Sequence, residues 1–162
     1  MVLQALVAVY FLYTVVAIFK GAGPIPSRRL TIQSILKLAE IKPGQRLFDL
    51  GSGDGRILFA AAKQGAQATG FEINPLLVWY TRVRAWLARE TRVSVVHSDF
   101  WKSDISEADV ITVYLVPLAM ARLKEKVEQE LRPGTKVISA VYPFPDWTPA
   151  ERDGKAYLYV VP

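Results

Sequence analysis

Residues 48–56 combine three alternate glycines with two carboxylates, and this segment restricts the fold more than any other. Residues 45–50, with the apolar side chains Leu47, Phe48 and Leu50, predict a buried strand before the glycines. An apolar face at residues 57–62 predicts a helix after them. Glycine adopts backbone angles that other residues avoid, and it leaves the backbone open to a ligand. The segment therefore predicts a strand, a ligand-binding turn and a helix.

The predicted turn is acidic, which bears on the charge of its ligand. Asp49 precedes the turn and Asp54 lies inside it, whereas loops that cradle phosphate present N–H groups and a lysine. Two carboxylates instead suit a ligand with cationic groups, such as the ammonium and sulfonium of S-adenosylmethionine. The spacing of Gly51, Gly53 and Gly55 differs from the G-x-G-x-x-G of dinucleotide sites. A nicotinamide or flavin site, and simple capping of the turn by the two acids, are the alternatives.

The rest of the chain alternates between strand and helix patterns. Strands are predicted at residues 67–72, 92–97, 110–115, 136–141 and 156–161, and helices at residues 31–40, 76–89 and 117–131. This alternation predicts an α/β fold with a doubly wound, mostly parallel sheet. Ligands of such sheets bind at the carboxyl ends of the strands, near the point where the strand order reverses. Asp49, Glu72, Asp99 and Tyr114 all fall at such ends, so we expect one site there.

The N-terminal segment is apolar on every face. Residues 2–19 carry no charge, and a bilayer span requires roughly 20 apolar residues. We therefore predict a transmembrane anchor at residues 1–20, a linker at residues 21–30 and the α/β domain at residues 31–162. Since basic residues follow the anchor, the chain is expected to be a single-pass membrane protein with its C-terminal domain in the cytoplasm. A signal peptide and a buried core helix are the alternatives.

Charge and composition limit the remaining classes of site. The net charge is +5, and Arg82, Arg84, Arg89 and Arg92 cluster on and after one predicted helix. Such a cluster fits anionic lipid, nucleic acid or an ordinary solvated helix face. The chain has no cysteine and one histidine, His97. We therefore predict no disulfide, no cysteine-ligated zinc and no metal site.

Four segments carry a family resemblance. They are DLGSGDGR at residues 49–56, GFEINP at 70–75 with VWY and RVRAW at 78–86, VP at 116–117 and PFPDWTP at 143–149. Together they resemble the Rossmann-like S-adenosylmethionine-dependent methyltransferases. More narrowly, they resemble the membrane-anchored protein-lysine methyltransferases of the ATP synthase c-subunit and the adenine nucleotide translocase. One strand follows the last segment, so we expect the closing strand pair of this fold to be abbreviated.

The resemblance implies a set of site residues. For the cofactor, S-adenosyl-L-methionine, these are Asp49, Gly51, Ser52, Gly53, Asp54, Gly55, Glu72, Asn74, Asp99 and Phe100. The glycines would approach the methionine part, and Asp49 or Asp54 would meet its ammonium. Glu72 would bind the ribose diol, and Asp99 with Phe100 would hold the adenine.

The acceptor side is expected to be aromatic. Tyr114 and Trp147, with Phe144, are the candidates for lining a channel that lowers the pKa of an acceptor lysine by desolvation, and Asp146 is the candidate proton acceptor. Ordinary packing is the alternative for Phe144 and Trp147.

The expected function is methylation of a lysine side chain in a membrane or membrane-associated protein. The alternatives are a methyltransferase for a lipid or small hydrophobic acceptor, and a non-catalytic S-adenosylmethionine-binding module. A nucleic-acid substrate is disfavoured. Amino-methylating enzymes of that class carry an acid or Asn followed by Pro-Pro and an aromatic residue, whereas residues 114–117 read Tyr-Leu-Val-Pro.

Overall fold

Strands and helices alternate along the chain in the predicted order. The computed structural model describes residues 2–21 and 29–162. The helices are α1 (Val2–Phe19), α2 (Arg29–Ala39), α3 (Arg56–Lys63), α4 (Pro75–Leu87) and α5 (Pro117–Glu130). The strands are β1 (Arg46–Leu50), β2 (Gln67–Glu72), β3 (Val93–His97), β4 (Val110–Val113), β5 (Lys136–Ala140), β6 (Glu151–Asp153) and β7 (Ala156–Val160). A 3-10 turn, Phe100–Lys102, follows β3.

The seven strands form one sheet in the order β3-β2-β1-β4-β5-β7-β6. The five strands β1 to β5 pair in parallel, and β7 pairs antiparallel with both β5 and β6. The order reverses between β1 and β4, so a crevice opens at their carboxyl ends. The predicted doubly wound, mostly parallel sheet is confirmed.

Two apolar clusters cover the two faces of the sheet. On one face Leu47 packs with Ile35 of α2 and Leu58 of α3. On the other face, Ile111 packs with Leu123 of α5. All five side chains are fully buried, and burying a large aliphatic side chain stabilises the fold by roughly 1.5–3 kcal/mol. These clusters fix the strands whose ends carry the site.

The N-terminal segment differs from its prediction. Among the described residues, no helix is long and apolar enough to span a bilayer, so the transmembrane anchor predicted at residues 1–20 is not found. Instead α1 lies against the domain: the Tyr13 ring is 6.5 Å from that of His97, and Gly21 O accepts a hydrogen bond from Val116 N. Residues 22–28, most of the predicted linker, lie outside the described residues, and α2 already begins at Arg29.

The C-terminal closing pair also differs. The sequence predicts a single strand after residues 143–149, whereas the structure has both β6 and β7. β6 has only three residues, and it forms because it pairs with β7 rather than because of an apolar pattern of its own. The closing pair is therefore present, with one short member.

Candidate active site

A pocket opens at the carboxyl ends of β1, β2, β3 and β4. It is lined by ten residues that the sequence assigns to the site, namely Asp49, Gly51, Ser52, Gly53, Asp54, Glu72, Asn74, Asp99, Phe100 and Tyr114. Three other assigned residues, Gly55, Asp146 and Trp147, lie outside this lining. The parallel register explains the convergence, because strands that pair in parallel end at one edge of the sheet.

The glycines of the turn have two different roles. Gly53 and Gly55 have φ angles of 56° and 75°, which favour glycine. A side chain added at Gly53 would meet nothing within 4 Å, whereas one added at Gly55 would collide with Thr81 of α4. Gly53 therefore leaves space open at the pocket, and Gly55 lets α3 and α4 approach each other.

Glu72 organises the centre of the pocket. The residue is 7% exposed, and its carboxylate accepts hydrogen bonds from the backbone N–H groups of Gly53 at 2.8 Å and Asn74 at 2.7 Å. Asn74 in turn caps α4 by accepting from Leu76 N at 3.0 Å. The acid at the end of β2 thus links the glycine turn to the next helix, and its remaining lone pairs are available to a ligand.

Asp49 is a buried acid beneath the turn. Its carboxylate accepts a hydrogen bond from Thr112 Oγ1 at 2.7 Å. Burial raises the pKa of Asp49 to about 7, which the Thr112 hydrogen bond opposes and the neighbouring charges of Glu72 and Asp54 reinforce. A cationic group placed beside Asp49 would favour its ionised form.

Asp54 is already paired within the turn. Arg56 Nη2 lies 2.5 Å from Asp54 Oδ2, and this hydrogen bonding to Arg56 lowers the pKa of Asp54. Asp49, in contrast, forms no ion pair with any described residue. Ser52 lines the pocket as well. Among the described residues, its hydroxyl is the one buried side-chain polar atom without a hydrogen-bond partner.

Asp99 and Phe100 lie at the end of β3. Asp99 Oδ1 caps the 3-10 turn by accepting from Trp101 N at 3.2 Å, and Asp99 Oδ2 forms an ion pair with Nζ of Lys20, the residue after α1. The Phe100 ring is buried and lies 4.7 Å from the ring of Trp101.

The residues predicted to bind the acceptor do not all line the pocket. Tyr114 lines the pocket, and its ring lies 6.4 Å from that of Tyr142. Trp147 packs instead against Phe144 and Tyr159, with ring centroids 5.3 and 4.9 Å away. Asp146 is exposed, and its backbone oxygen accepts from Lys124 Nζ at 3.4 Å. The roles assigned to Asp146 and Trp147 stay predictions.

Sequence reasoning missed one wall of the pocket entirely. It is lined by Tyr10, Tyr13, Thr14 and Ala17 of α1 and by Lys20, the residue after α1. A signal is present in the sequence, because these residues recur every three or four positions and include the hydroxyl groups of an otherwise apolar helix. The uniform hydrophobicity of the segment instead favours a membrane helix, and so the signal is easily overlooked.

The predicted basic cluster is largely occupied within the molecule. Arg82 donates to Val95 O, the Arg84 guanidinium lies 4.0 Å from the ring centroid of Phe59, and Arg92 pairs with Glu90. This arrangement favours the solvated-face interpretation over a binding patch. In the described ranges, 2–21 and 29–162, no cluster of three metal-ligating side chains occurs.

Comparison with known proteins identifies the family to which the chain is similar. The sequence matches the family described as the ANTKMT methyltransferase domain over residues 49–151. A Xenopus laevis protein, named as the lysine N-methyltransferase of the ATP synthase c-subunit, is 40% identical over 151 residues, covering 91% of this chain and 66% of that protein. A protein-lysine N-methyltransferase of Saccharolobus islandicus (strain REY15A) is 36% identical over 153 residues, covering 85% of this chain and 92% of that protein. The chain thus spans just under two thirds of the Xenopus relative.

Two solved structures that contain S-adenosyl-L-homocysteine have the same fold as this chain. A Salinibacter ruber protein described as an RNA methyltransferase, in complex with S-adenosyl-L-homocysteine, has a TM-score of 0.81 and 35% identity, covering 85% of this chain and 94% of that one. A methyltransferase of Geobacter sulfurreducens with the same ligand has a TM-score of 0.61 and 26% identity, covering 75% of this chain and 55% of that one.

S-adenosyl-L-methionine fits the residues of this pocket. Gly53 leaves open space beside the turn, Glu72 offers a fixed carboxylate, and Asp49 is a buried acid that a cation would stabilise. The residues matched to the family contain the carboxyl ends of all five parallel strands. The chain therefore belongs to the ANTKMT methyltransferase domain family.

Proposed function

We propose that the chain is an S-adenosylmethionine-dependent methyltransferase that methylates a lysine side chain of a protein in or next to a membrane. The observation that carries the proposal is the convergence of Asp49, Glu72, Asp99 and Tyr114 in one pocket. Lysine as the acceptor is supported by the Saccharolobus islandicus relative, which is named a protein-lysine N-methyltransferase and is matched over 92% of its length.

The cofactor half of the pocket has a distinct role for each acid. When bound, S-adenosylmethionine supplies an electrophilic methyl group to the acceptor. Glu72 binds the ribose hydroxyls, since its carboxylate is held in place by two backbone donors. Asp49 receives the ammonium, because Asp54 is already paired with Arg56. Asp99 and Phe100 hold the adenine by hydrogen bonding and stacking.

The acceptor half must receive a neutral amine. A free lysine has a pKa of about 10.4, and desolvation lowers it by disfavouring the cation. Tyr114 is half-buried and supplies a hydroxyl-bearing aromatic ring to the pocket lining. It orients the amine so that its lone pair points toward the methyl group. The roles of Asp146 as proton acceptor and of Trp147 as channel lining stay sequence predictions outside this proposal, because both residues lie outside the pocket lining.

The outer face of α1 supports a location at a membrane surface. The cytoplasmic side is proposed from the basic residues that follow the apolar segment alone. Phe11, Leu12 and Phe19 are 61%, 61% and 88% exposed, and helices that lie in the interface of a bilayer bury apolar side chains of this kind there. We expect the full chain to float with vesicles of phosphatidylcholine and phosphatidylserine. Combining Phe11→Ser and Phe19→Ser should abolish flotation. The matched control Trp86→Ser, which changes an exposed apolar residue of α4, should leave flotation unchanged. An equal loss of flotation in this control would place the membrane contact on α4 instead.

Methyl transfer tests the reaction itself. Full-length chain is incubated with S-adenosylmethionine labelled in the methyl group and with membranes from its own source, and label is counted in protein, lipid and RNA. We expect label on a lysine of a discrete protein, identified by mass spectrometry and absent with Glu72→Ala. Label in lipid would favour the small-acceptor alternative. Label in RNA would favour the activity named for the Salinibacter ruber structure, and no label despite cofactor binding would contradict catalysis.

A further inference from the structure

Helix α1 presents two chemically different faces. Between residues 7 and 21, every side chain that bears a hydroxyl or an ammonium group lines the pocket, namely Tyr10, Tyr13, Thr14 and Lys20. The opposite face is apolar and exposed, as at Leu12 and Val15. A helix that met only lipid would have no reason to place its polar groups on one stripe, so this stripe belongs to the pocket.

The C-terminal end of α1 is held in place by the backbone as well as by side chains. Trp101 Nε1 donates to Lys20 O at 3.0 Å, and Val116 N donates to Gly21 O at 2.8 Å. Trp101 is itself covered by the guanidinium of Arg122, whose carbon lies 4.2 Å from the ring centroid. Because these bonds fix two successive carbonyl groups, the Lys20 side chain starts from a defined position at the pocket.

Lys20 reaches the acid that the sequence assigns to the adenine. Its Nζ pairs with Asp99 Oδ2, while Asp99 Oδ1 accepts from Trp101 N. A carboxylate has about four acceptor positions and an ammonium has three donors, so each partner has capacity beyond this pair. Asp99 and Lys20 thus place a hydrogen-bond acceptor and a donor next to each other on the pocket wall.

Adenine carries the complementary pattern. Its exocyclic amino group is a donor, and the ring nitrogens beside it are acceptors. We propose that Lys20 is a cofactor-binding residue that forms, with Asp99, the acceptor–donor pair for the adenine edge. Asp99 accepts from the amino group, and Lys20 donates to a neighbouring ring nitrogen. Helix α1 is then a wall of the cofactor site in addition to any contact with lipid. The inference rests on the proposed function only for the identity of the cofactor.

Binding of S-adenosylhomocysteine to the full chain, measured by calorimetry, tests the role of Lys20. Lys20→Met should weaken binding on the order of tenfold, the usual effect of losing a charged hydrogen bond, and Lys20→Arg should recover part of the loss. The matched control is Lys37→Met, which removes the ion pair with Asp153 away from the pocket and should leave affinity unchanged. Unchanged affinity in Lys20→Met would overturn the proposal. Tighter binding would also overturn it, since Lys20 would then compete with the cofactor for Asp99.

Ligand analogues separate recognition of the base from docking of the helix. Two S-adenosylhomocysteine analogues are compared, one with carbon in place of N1 and one with carbon in place of N7. The loss of affinity caused by Lys20→Met should disappear with one of the two, because Lys20 donates to one of these nitrogens. Trp101→Phe, which removes the bond to Lys20 O, should weaken all ligands alike. An equal loss in Lys20→Met with both analogues would mean that Lys20 only holds α1, and would overturn the proposal. These readouts need no acceptor, so a chain that binds in this way without methylating lysine would contradict the proposed function alone.

Discussion

The two halves of the carboxyl edge are built by different forces. At the ends of β1, β2 and β3, polar side chains are fixed by directional hydrogen bonds, as when Glu72 accepts from Gly53 N and Asn74 N. At the ends of β4 and β5, aromatic rings lie against one another, as Tyr114 and Tyr142 do. The loop after β5 continues this packing, with Phe144 and Trp147 against Tyr159 of β7.

This difference indicates that the two halves have different roles. Directional bonds specify one ligand geometry, whereas aromatic packing is less directional and tolerates a change of partner. The cofactor half is therefore formed before any ligand binds, whereas a role of the aromatic half in acceptor binding stays a prediction from the sequence. Substitutions in the cofactor half should act on binding, and substitutions in the aromatic half should act on stability or on transfer.

The largest effect is expected from Glu72→Ala. The change removes the acceptor for the ribose and leaves two backbone N–H groups without their partner, so affinity for S-adenosylhomocysteine should fall about a hundredfold or more. Calorimetry measures the affinity, and circular dichroism verifies folding. Glu90→Ala, which loses only its pair with Arg92, is the matched control. If a folded Glu72→Ala variant bound S-adenosylhomocysteine with wild-type affinity, the cofactor would have to bind outside this pocket.

Asp49 should make cofactor binding depend on pH. Because burial raises its pKa to about 7, a ligand ammonium that requires the ionised form must displace a proton below that pH. Affinity for S-adenosylhomocysteine should therefore fall by about tenfold per pH unit below about 7. In Asp49→Asn the affinity should be lower at pH 8 and independent of pH between about 5.5 and 8. If the affinity of this variant still fell steeply with falling pH, the proton that opposes binding would belong to a group other than Asp49.

The raised pKa of Asp49 also predicts how the free energy of unfolding of the ligand-free protein changes with pH. The pKa of Asp49 is higher in the folded chain than in the unfolded chain, so protonation favours folding. Its contribution to the free energy of unfolding is lost as pH rises from about 4 to about 7. Asparagine cannot ionise, and it can still accept from Thr112. The advantage of Asp49→Asn in urea unfolding should thus be near zero at pH 4 and reach about 2–4 kcal/mol at pH 8. The opposite order would contradict the shifted pKa.

The positions of the cofactor-side acids could be predicted because they depend on residues close to them in sequence. Each acid lies in the last two positions of a strand, as Asp49 and Glu72 do, or just after one, as Asp99 does. Parallel pairing then brings the three acids to one edge. The position of α1 could not be predicted in this way. It depends on bonds from Trp101 and Val116, which lie some eighty or more residues away in sequence, and a uniformly apolar helix gives no indication of which surface it will cover.

The aromatic half was harder to predict for a similar reason. Trp147 stands in a proline-rich loop, and whether it faces a channel or the core depends on Tyr159 of β7. The short strand β6, Glu151–Asp153, has no apolar alternation. Only its pairing with β7 makes it a strand, and pairing at a sheet edge leaves no local pattern.

Trp147→Ala should affect stability more than cofactor binding. The ring packs against Phe144 and Tyr159 and is half-buried, so its removal should lower the free energy of unfolding by about 2–3 kcal/mol. Affinity for S-adenosylhomocysteine should stay within about threefold of wild type, because the ring lies outside the pocket. Urea unfolding and calorimetry measure the two quantities. A large loss of affinity with unchanged stability would instead place Trp147 in the site.

The smallest and most discriminating effects concern transfer alone. Tyr114→Phe keeps the ring but removes the hydroxyl in the pocket, so methyl transfer should slow by about tenfold while cofactor affinity is unchanged. Asp146→Asn alters a carboxylate that is exposed and lies outside the pocket lining, and should slow transfer less than Tyr114→Phe does. Single-turnover rates at saturating cofactor give both numbers. If Asp146→Asn were the more damaging change, the loop at residues 143–149 would have to carry its carboxylate to the acceptor amine. The aromatic half would then be the part of the molecule that rearranges around the substrate.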